Sequence, residues 1–219
     1  MCIRDRSSQD TSPAAVAFNS DGTKMFVLGA TGNDVNEYTL TTGFDVSTAS
    51  YAGDSERFSV TQDTEPRGLT FNNDGTKMFV VGWTGDDVNE YTLSTGFDVS
   101  TSSFVDSFSI TNTVPGKEND PRDVKFNSNG TKMFVLGRAN DTVYEYTLST
   151  GFDVSTASFV DSFDISSEDT SPAAVAFNDD GTKMFVLGAT GDDVNEYTLT
   201  TGFDVSTASF VDSFIVSTK

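Results

Sequence analysis

Four glutamates, Glu37, Glu90, Glu145 and Glu196, each stand immediately before a tyrosine, at intervals of 53, 55 and 51 residues. Four equivalent carboxylates gathered round one axis could ligate calcium, a hard cation that prefers oxygen donors. The rival reading is that each makes the same structural hydrogen bond in its own repeat. A second group of residues breaks the symmetry. Trp83 and Arg138 stand where two other repeats have Ala30 and Ala189, and Arg67, Lys117 and Arg122 are the nearby cations. An aromatic face among several cations could stack on, or pair with, a sugar or an anionic group. Against this, turns that nothing constrains also diverge in sequence.

Much other chemistry is excluded by composition. The chain has no histidine, which removes the commonest general base, the commonest zinc ligand and every Ser-His or Cys-His nucleophile pair. Cys2 is the sole cysteine, so neither a disulfide framework nor a cysteine-ligated metal is possible. Adjacent carboxylates such as Asp86 and Asp87 lie in turns and read as solvated. The N-x-D-G segments resemble half of a calcium loop but lack the bidentate glutamate that completes one. Glycines occur singly in turns, not in a phosphate-cradling run. No catalytic residue and no cofactor is therefore expected, calcium being the one option left open.

These residues are carried by a 33-residue unit written four times, beginning at Phe18, Phe71, Phe126 and Phe177. Each copy opens F-N-x-(D/N)-G-T-K-M-F-V, passes through V-x-E-Y-T-L and closes on T-G-F-D-V-S-T-(A/S)-S. Within the first, Val16 and Phe18 alternate onto one face, Asn19–Gly22 is a turn, and Lys24–Leu28 is apolar on both faces. Val35–Leu40 alternates again after a second turn. A fourth strand is clearest at Phe104–Ile110, and no segment keeps a helical period. Four short strands every fifty-odd residues predict an all-β chain, a β-propeller built of four-stranded antiparallel blades. The repeated Lys24, Lys77, Lys132 and Lys183 read as strand-end solubility residues.

The hairpin P-x-x-V-x-F-N-x-D-G-T-K-M-F-V resembles the first hairpin of YVTN-type, lactonase-like and TolB-like propeller repeats, and the resemblance covers Ser7 to Lys219. It implies the blade; within such families the fold hosts lactone hydrolysis, scaffolding and ligand binding alike. Expected boundaries are 7–61, 62–111, 112–166 and 167–219 for blades one to four. Residues 1–6 match no repeat, can be written as a sequencing-library adapter read in frame, and are expected to be a scar; a natural tail is the alternative. The true N-terminus is then expected to be missing. Copies one and four agree at all but two of forty positions, Ser20/Asp179 and Asn33/Asp192, so terminal repeats lack polar caps. This favours an arc of a six- to eight-bladed propeller over a closed four-bladed ring, with two four-blade chains completing one ring as a third option and self-association through the terminal blade faces.

Strand alternation sends the first–second and third–fourth turns to one face, and the second–third turn with the blade-to-blade connection to the other. The first pair is nearly constant, while the second varies and includes an insertion near Val114–Asp120. Binding is expected on the variable face. Net charge is −20, from 13 basic and 33 acidic residues, which argues against nucleic acid and anionic membranes as partners. No apolar run is long enough to span a bilayer. An extracellular, cell-surface or virion-surface location suits this composition. The expected function is a non-catalytic interaction module for a protein or carbohydrate ligand. The alternative is a lactonase-like, metal-dependent hydrolase with a carboxylate-lined central channel.

Overall fold

The structure is a computed structural model and describes residues 10–111 and 118–216, so Cys2, the scar expected at 1–6 and Lys117 lie outside the described residues. Each repeat forms an antiparallel meander in which consecutive strands pair. Blade 1 holds β1 (Pro13–Phe18), β2 (Lys24–Gly29) and β3 (Asp34–Leu40), with β4 (Ala49–Tyr51) and β5 (Arg57–Ser59) sharing the place of a fourth strand. Blade 2 holds β6 (Pro66–Phe71), β7 (Lys77–Gly82), β8 (Asp87–Leu93) and β9 (Ser102–Ser109). Blade 3 holds β10 (Pro121–Phe126), β11 (Lys132–Gly137), β12 (Thr142–Leu148) and β13 (Ala157–Asp164). Blade 4 holds β14 (Pro172–Phe177), β15 (Lys183–Gly188), β16 (Asp193–Leu199) and β17 (Ala208–Ile215). Together they make a four-blade β-propeller, with β1, β6, β10 and β14 innermost around a central channel.

The turns follow from their residues. In blade 2, Asn72 accepts the Lys77 amide at 2.9 Å, and Asp74 accepts both the amide and the hydroxyl of Thr76, at 3.0 and 2.6 Å. Gly75 takes φ +71, a left-handed conformation that side chains disfavour. Its carbonyl accepts the amide of Phe97 at 3.0 Å, which ties the β6–β7 turn to the β8–β9 turn on one face of the propeller. Phe97 itself sits at φ 57, its ring so close that a Cβ on Gly75 would overlap it. Asp98 then caps a single 3-10 turn, Val99–Thr101, by accepting the Ser100 amide. The other face is tied by Asp63, which accepts the amides of Glu65 and Gly85 at 2.6 and 2.7 Å. Two faces of differing variability thus emerge as strand alternation requires.

The outermost strands carry a β-bulge. Glu90 pairs with Asp106 but Tyr91 pairs with Phe104, leaving Val105 unmatched, and β13 and β17 repeat this. Blade 1 differs, because a 3-10 turn at Asp54–Glu56 interrupts its outer strand.

Blades are joined by one device used three times. Phe79 of blade 2 is fully buried against Phe126 and Phe152 of blade 3, with ring centroids 4.4 and 6.2 Å apart. Lys77 Nζ donates to the carbonyl of Phe152 at 2.6 Å and pairs with Glu90 at 2.6 Å. The second oxygen of Glu90 accepts the amide of Val154 at 3.0 Å. Lys132, Glu145 and Phe134 repeat these contacts on Phe203, Val205 and Phe177 of blade 4. Lys24 and Phe26 do so on Phe97 and Phe71 of blade 2. Lys24, Lys77 and Lys132 are therefore not solubility residues: their position at the start of the second strand points them across the gap, at a carbonyl that the left-handed phenylalanine turns outward.

Three hydrophobic clusters fill the three junctions. The boundary between blades 4 and 1 is open. Val46 is 63 % exposed, whereas its counterparts Val99, Val154 and Val205 are fully buried.

Replacing Lys77 with methionine should leave the Glu90 carboxylate, 2 % exposed, without its cation. A loss of about 3 kcal/mol in chemical denaturation is expected, largely recovered by pairing it with Glu90→Leu. Lys183→Met on the open face, where both partners are partly solvated, should cost under about 1 kcal/mol. Equal losses for the two lysines would refute the assigned role.

Candidate functional site

The innermost strands begin with proline, and the next residue points to the mouth of the channel. It is Ala14, Arg67, Arg122 and Ala173 in blades 1 to 4. The residue that follows each second strand sits beside it: Ala30, Trp83, Arg138 and Ala189, held by hydrogen bonds such as Trp83 N to Glu65 O and Arg138 N to Asp120 O, both 3.0 Å. Blades 2 and 3 thus place their exceptional residues together. Arg67 lies over the Trp83 ring with Cζ 5.5 Å from its centroid, and its Nη2 meets Glu65 at 2.8 Å. Asp120 bridges the other pair, 2.9 Å from Arg122 Nε and 2.6 Å from Arg138 Nη2.

Arg67, Arg122 and Arg138 all line one cavity of about 240 Å³ at this mouth. Arg67 and Arg122 also line the adjoining channel of about 570 Å³, with Asp123 and Lys125 deeper in. Burial, and the neighbouring charges of Arg138 and Arg67, lower the Arg122 guanidinium from its ordinary value. An arriving anion would relieve that crowding. On a chain of net charge −20 this is a local concentration of positive charge, and guanidinium forks suit carboxylate and phosphate oxygens.

Of the expected binding residues, the structure brings Arg67, Arg122 and Arg138 together, sets Trp83 beside Arg67, and leaves Lys117 outside the described residues. Sequence reasoning missed Asp123 and Lys125. Their signal was present: the innermost strands read PAAVAF, PRGLTF, PRDVKF and PAAVAF, so variation is concentrated on the channel wall as well as in the turns.

The donor sets do not suit a divalent cation. Glu90 and Glu145 are taken up by Lys77 and Lys132 and by backbone amides at the blade junctions, away from the channel. Glu37 and Glu196 likewise meet Lys24 and Lys183. Oxygens of Glu37, Glu56 and Asp98 come within 4.8 Å of one another, but Lys24 Nζ sits 2.6 Å from Glu37, and Asp98 already accepts from Ser100 N and Oγ. Asp123 is the carboxylate of the described channel wall. It accepts from Lys125 Nζ at 2.8 Å, its own neighbour Val124 N at 2.9 Å and Val175 N at 3.1 Å. Of the charged residues lining the described channel, Arg67, Arg122 and Lys125 are cationic and Asp123 alone is a carboxylate, so the four glutamates are not what would line the channel of the alternative reading.

The expectation that Asp86 and Asp87 are solvated turn residues is corrected, since burial raises the carboxyls of both. Asp87 loses water beneath the second–third turn and lies near Asp63 and Asp86; burial first, then those charges, pushes its carboxyl up to about 6.

This is a β-propeller with a cationic channel mouth. No protein-family model and no curated protein sequence matches the chain. Solved structures match it along nearly its whole length. A protein assigned as a 6-phosphogluconolactonase from Bacteroides fragilis superposes with a TM-score of 0.63 at 16 % identity, covering 97 % of this chain and 58 % of its own. A second so assigned, from Bacteroides uniformis, gives 0.62 at 14 %, covering 94 % and 58 %. The periplasmic gluconolactonase of Pseudomonas aeruginosa gives 0.57 at 14 %, covering 93 % and 54 %. The chain thus spans little more than half the length of these structures. Identities this low establish the β-propeller fold alone. The expectation of a non-catalytic interaction module is corrected by these names, since three of the matching structures are named as lactonases. Among the described residues no helix is long and apolar enough to cross a membrane.

Because the folded state holds Asp87 protonated at higher pH than the unfolded chain does, its stabilising share is complete below about pH 4 and is lost as pH rises through about 6. Asp87→Asn keeps an acceptor for the Asn89 amide, now 2.7 Å away. It should stabilise the protein by about 1 kcal/mol at neutral pH and change little in acid. A melting-temperature series against pH in which variant and parent stay parallel would show that Asp87 is not buried in this way.

Proposed function

We propose that the protein is a hydrolase of anionic sugar lactones, with the substrate held at the channel mouth by Arg67, Arg122 and Arg138. The observation that carries this reading is the convergence of three guanidinium groups, from two blades, on one cavity of an otherwise strongly acidic chain. The lactonase names of its structural neighbours support it. A phosphorylated gluconolactone presents the groups this site suits: oxyanions for the arginine forks and a pyranose face for Trp83.

Ring opening needs a water oxygen to bond to the lactone carbonyl carbon, the ring C–O bond to break, and the leaving alkoxide to take up a proton. Negative charge builds on the carbonyl oxygen on the way. Fixed guanidinium donors in a walled cavity stabilise that charge, commonly the largest contribution to such catalysis. Asp120 keeps two of the forks oriented, since it contacts both Arg122 and Arg138. Secretion to an extracytoplasmic compartment is part of the same proposal; it is supported by the acidic composition and by the periplasmic neighbour.

The test is hydrolysis of 6-phosphogluconolactone and glucono-δ-lactone by the purified 219-residue protein, corrected for the spontaneous rate. Acceleration is expected, with the phosphorylated lactone preferred. Arg122→Ala and Arg138→Ala should each lower kcat/KM by about tenfold or more. A protein shown by circular dichroism to be folded, yet giving no rate above the spontaneous one on either lactone, would refute the proposal.

A further inference from the structure

The two open faces of the propeller are the two halves of a blade junction. At each internal junction one blade offers a buried phenylalanine with a lysine–glutamate pair, and the next offers a two-phenylalanine notch, a left-handed carbonyl and a valine amide. Blade 4 ends in the first half. Phe185 occupies the place of Phe26, Phe79 and Phe134; Lys183 and Glu196 occupy the places of Lys77 and Glu90. These groups lack their onward partner among the described residues. Lys183 is 48 % exposed against 29 % for Lys77 and Lys132, and Glu196 is 30 % exposed against 2 % for Glu90 and Glu145.

Blade 1 begins with the second half. Phe18 and Phe44 stand 5.5 Å apart, as Phe71 and Phe97 do at 5.6 Å where Phe26 enters. Phe44 has φ 59, matching the 57 to 60 of Phe97, Phe152 and Phe203, so its carbonyl is aimed as theirs are. Phe44 is 61 % exposed and Val46 63 %. The near-identity of the first and fourth repeats makes the match chemical as well as geometric, because blade 1 presents the same notch that blade 4 presents to blade 3.

We propose that a second copy of this chain covers both faces, giving a head-to-tail pair closed into one eight-blade ring. Eight lies at the upper end of the usual propeller range. Lys183 would donate to the carbonyl of the partner's Phe44, Glu196 would accept the amide of the partner's Val46, and Phe185 would enter between the partner's Phe18 and Phe44. Each interface would then repeat the three internal junctions, and the same contact made twice would close the ring. The inference is independent of the lactonase reading, since none of these residues lines the arginine site.

Sedimentation velocity on the full chain, from micromolar to millimolar concentration, should show a species of twice the 23.5 kDa chain mass. Val46→Glu and Phe185→Glu each spoil one half-junction and should each abolish it. Mixing the two variants should restore a dimer, because one intact junction forms between the sound blade 4 of the first and the sound blade 1 of the second. Circular dichroism and a cooperative melt verify that both variants fold. A folded parent that stays monomeric throughout, a single variant that still dimerises, or a ladder of ever-larger species would each overturn the closed pair.

Discussion

Charge burial between blades is the constraint on which the rest of the structure turns. Each internal junction encloses a glutamate whose oxygens have only two kinds of partner, a lysine from its own blade and an amide from the next. A buried carboxylate with one partner missing is costly, so the position of one blade fixes the position of its neighbour to within hydrogen-bond tolerance. Phenylalanine packing supplies most of the attraction, but it is tolerant of small slips. The ionic clasp is what sets register from blade to blade, and with it the place of each channel-lining residue.

That placement explains how a functional site arises in a chain of near-copies. A repeat can change only where its neighbours do not depend on it. The junction residues are bound to a common pattern, whereas the residue after the opening proline and the residue after the second strand reach only one another, the channel and acidic residues of their own blade. Arginine and tryptophan occupy these free positions in blades 2 and 3, alanine in blades 1 and 4. The asymmetry of the channel thus lies on the side of the two central blades, where a ligand would bind off-axis.

Strands, turns and the two-faced arrangement were legible in the sequence because each depends on residues close together in the chain. The alternation in V-x-E-Y-T-L and the Asn-x-Asp-Gly turn act locally. The role of Lys77 was not legible. Its partner carbonyl belongs to Phe152, seventy-five residues away, and nothing in a T-K-M-F strand start distinguishes a clasp from a solubilising charge. Arg67, Arg122 and Arg138 were legible as candidates but not as a cluster, for their meeting depends on the radial order of strands. Asp87 illustrates the opposite error, a carboxylate read as part of a turn that opens strand β8 at a depth only packing reveals.

The kink in the outer strands bears on how such molecules coexist at high concentration. A propeller rim ends in a hydrogen-bonding edge, and Phe104, Val105 and their equivalents make that edge apolar and exposed. A straight edge of this composition would template pairing between the rims of separate molecules. With Val105 standing out of register and Asp106 beside it, the ladder of donors and acceptors is broken halfway along, and the remaining stretches are too short to zip. Crowded propellers can then meet rim to rim without polymerising into fibres, leaving the flat blade ends as the places where they join.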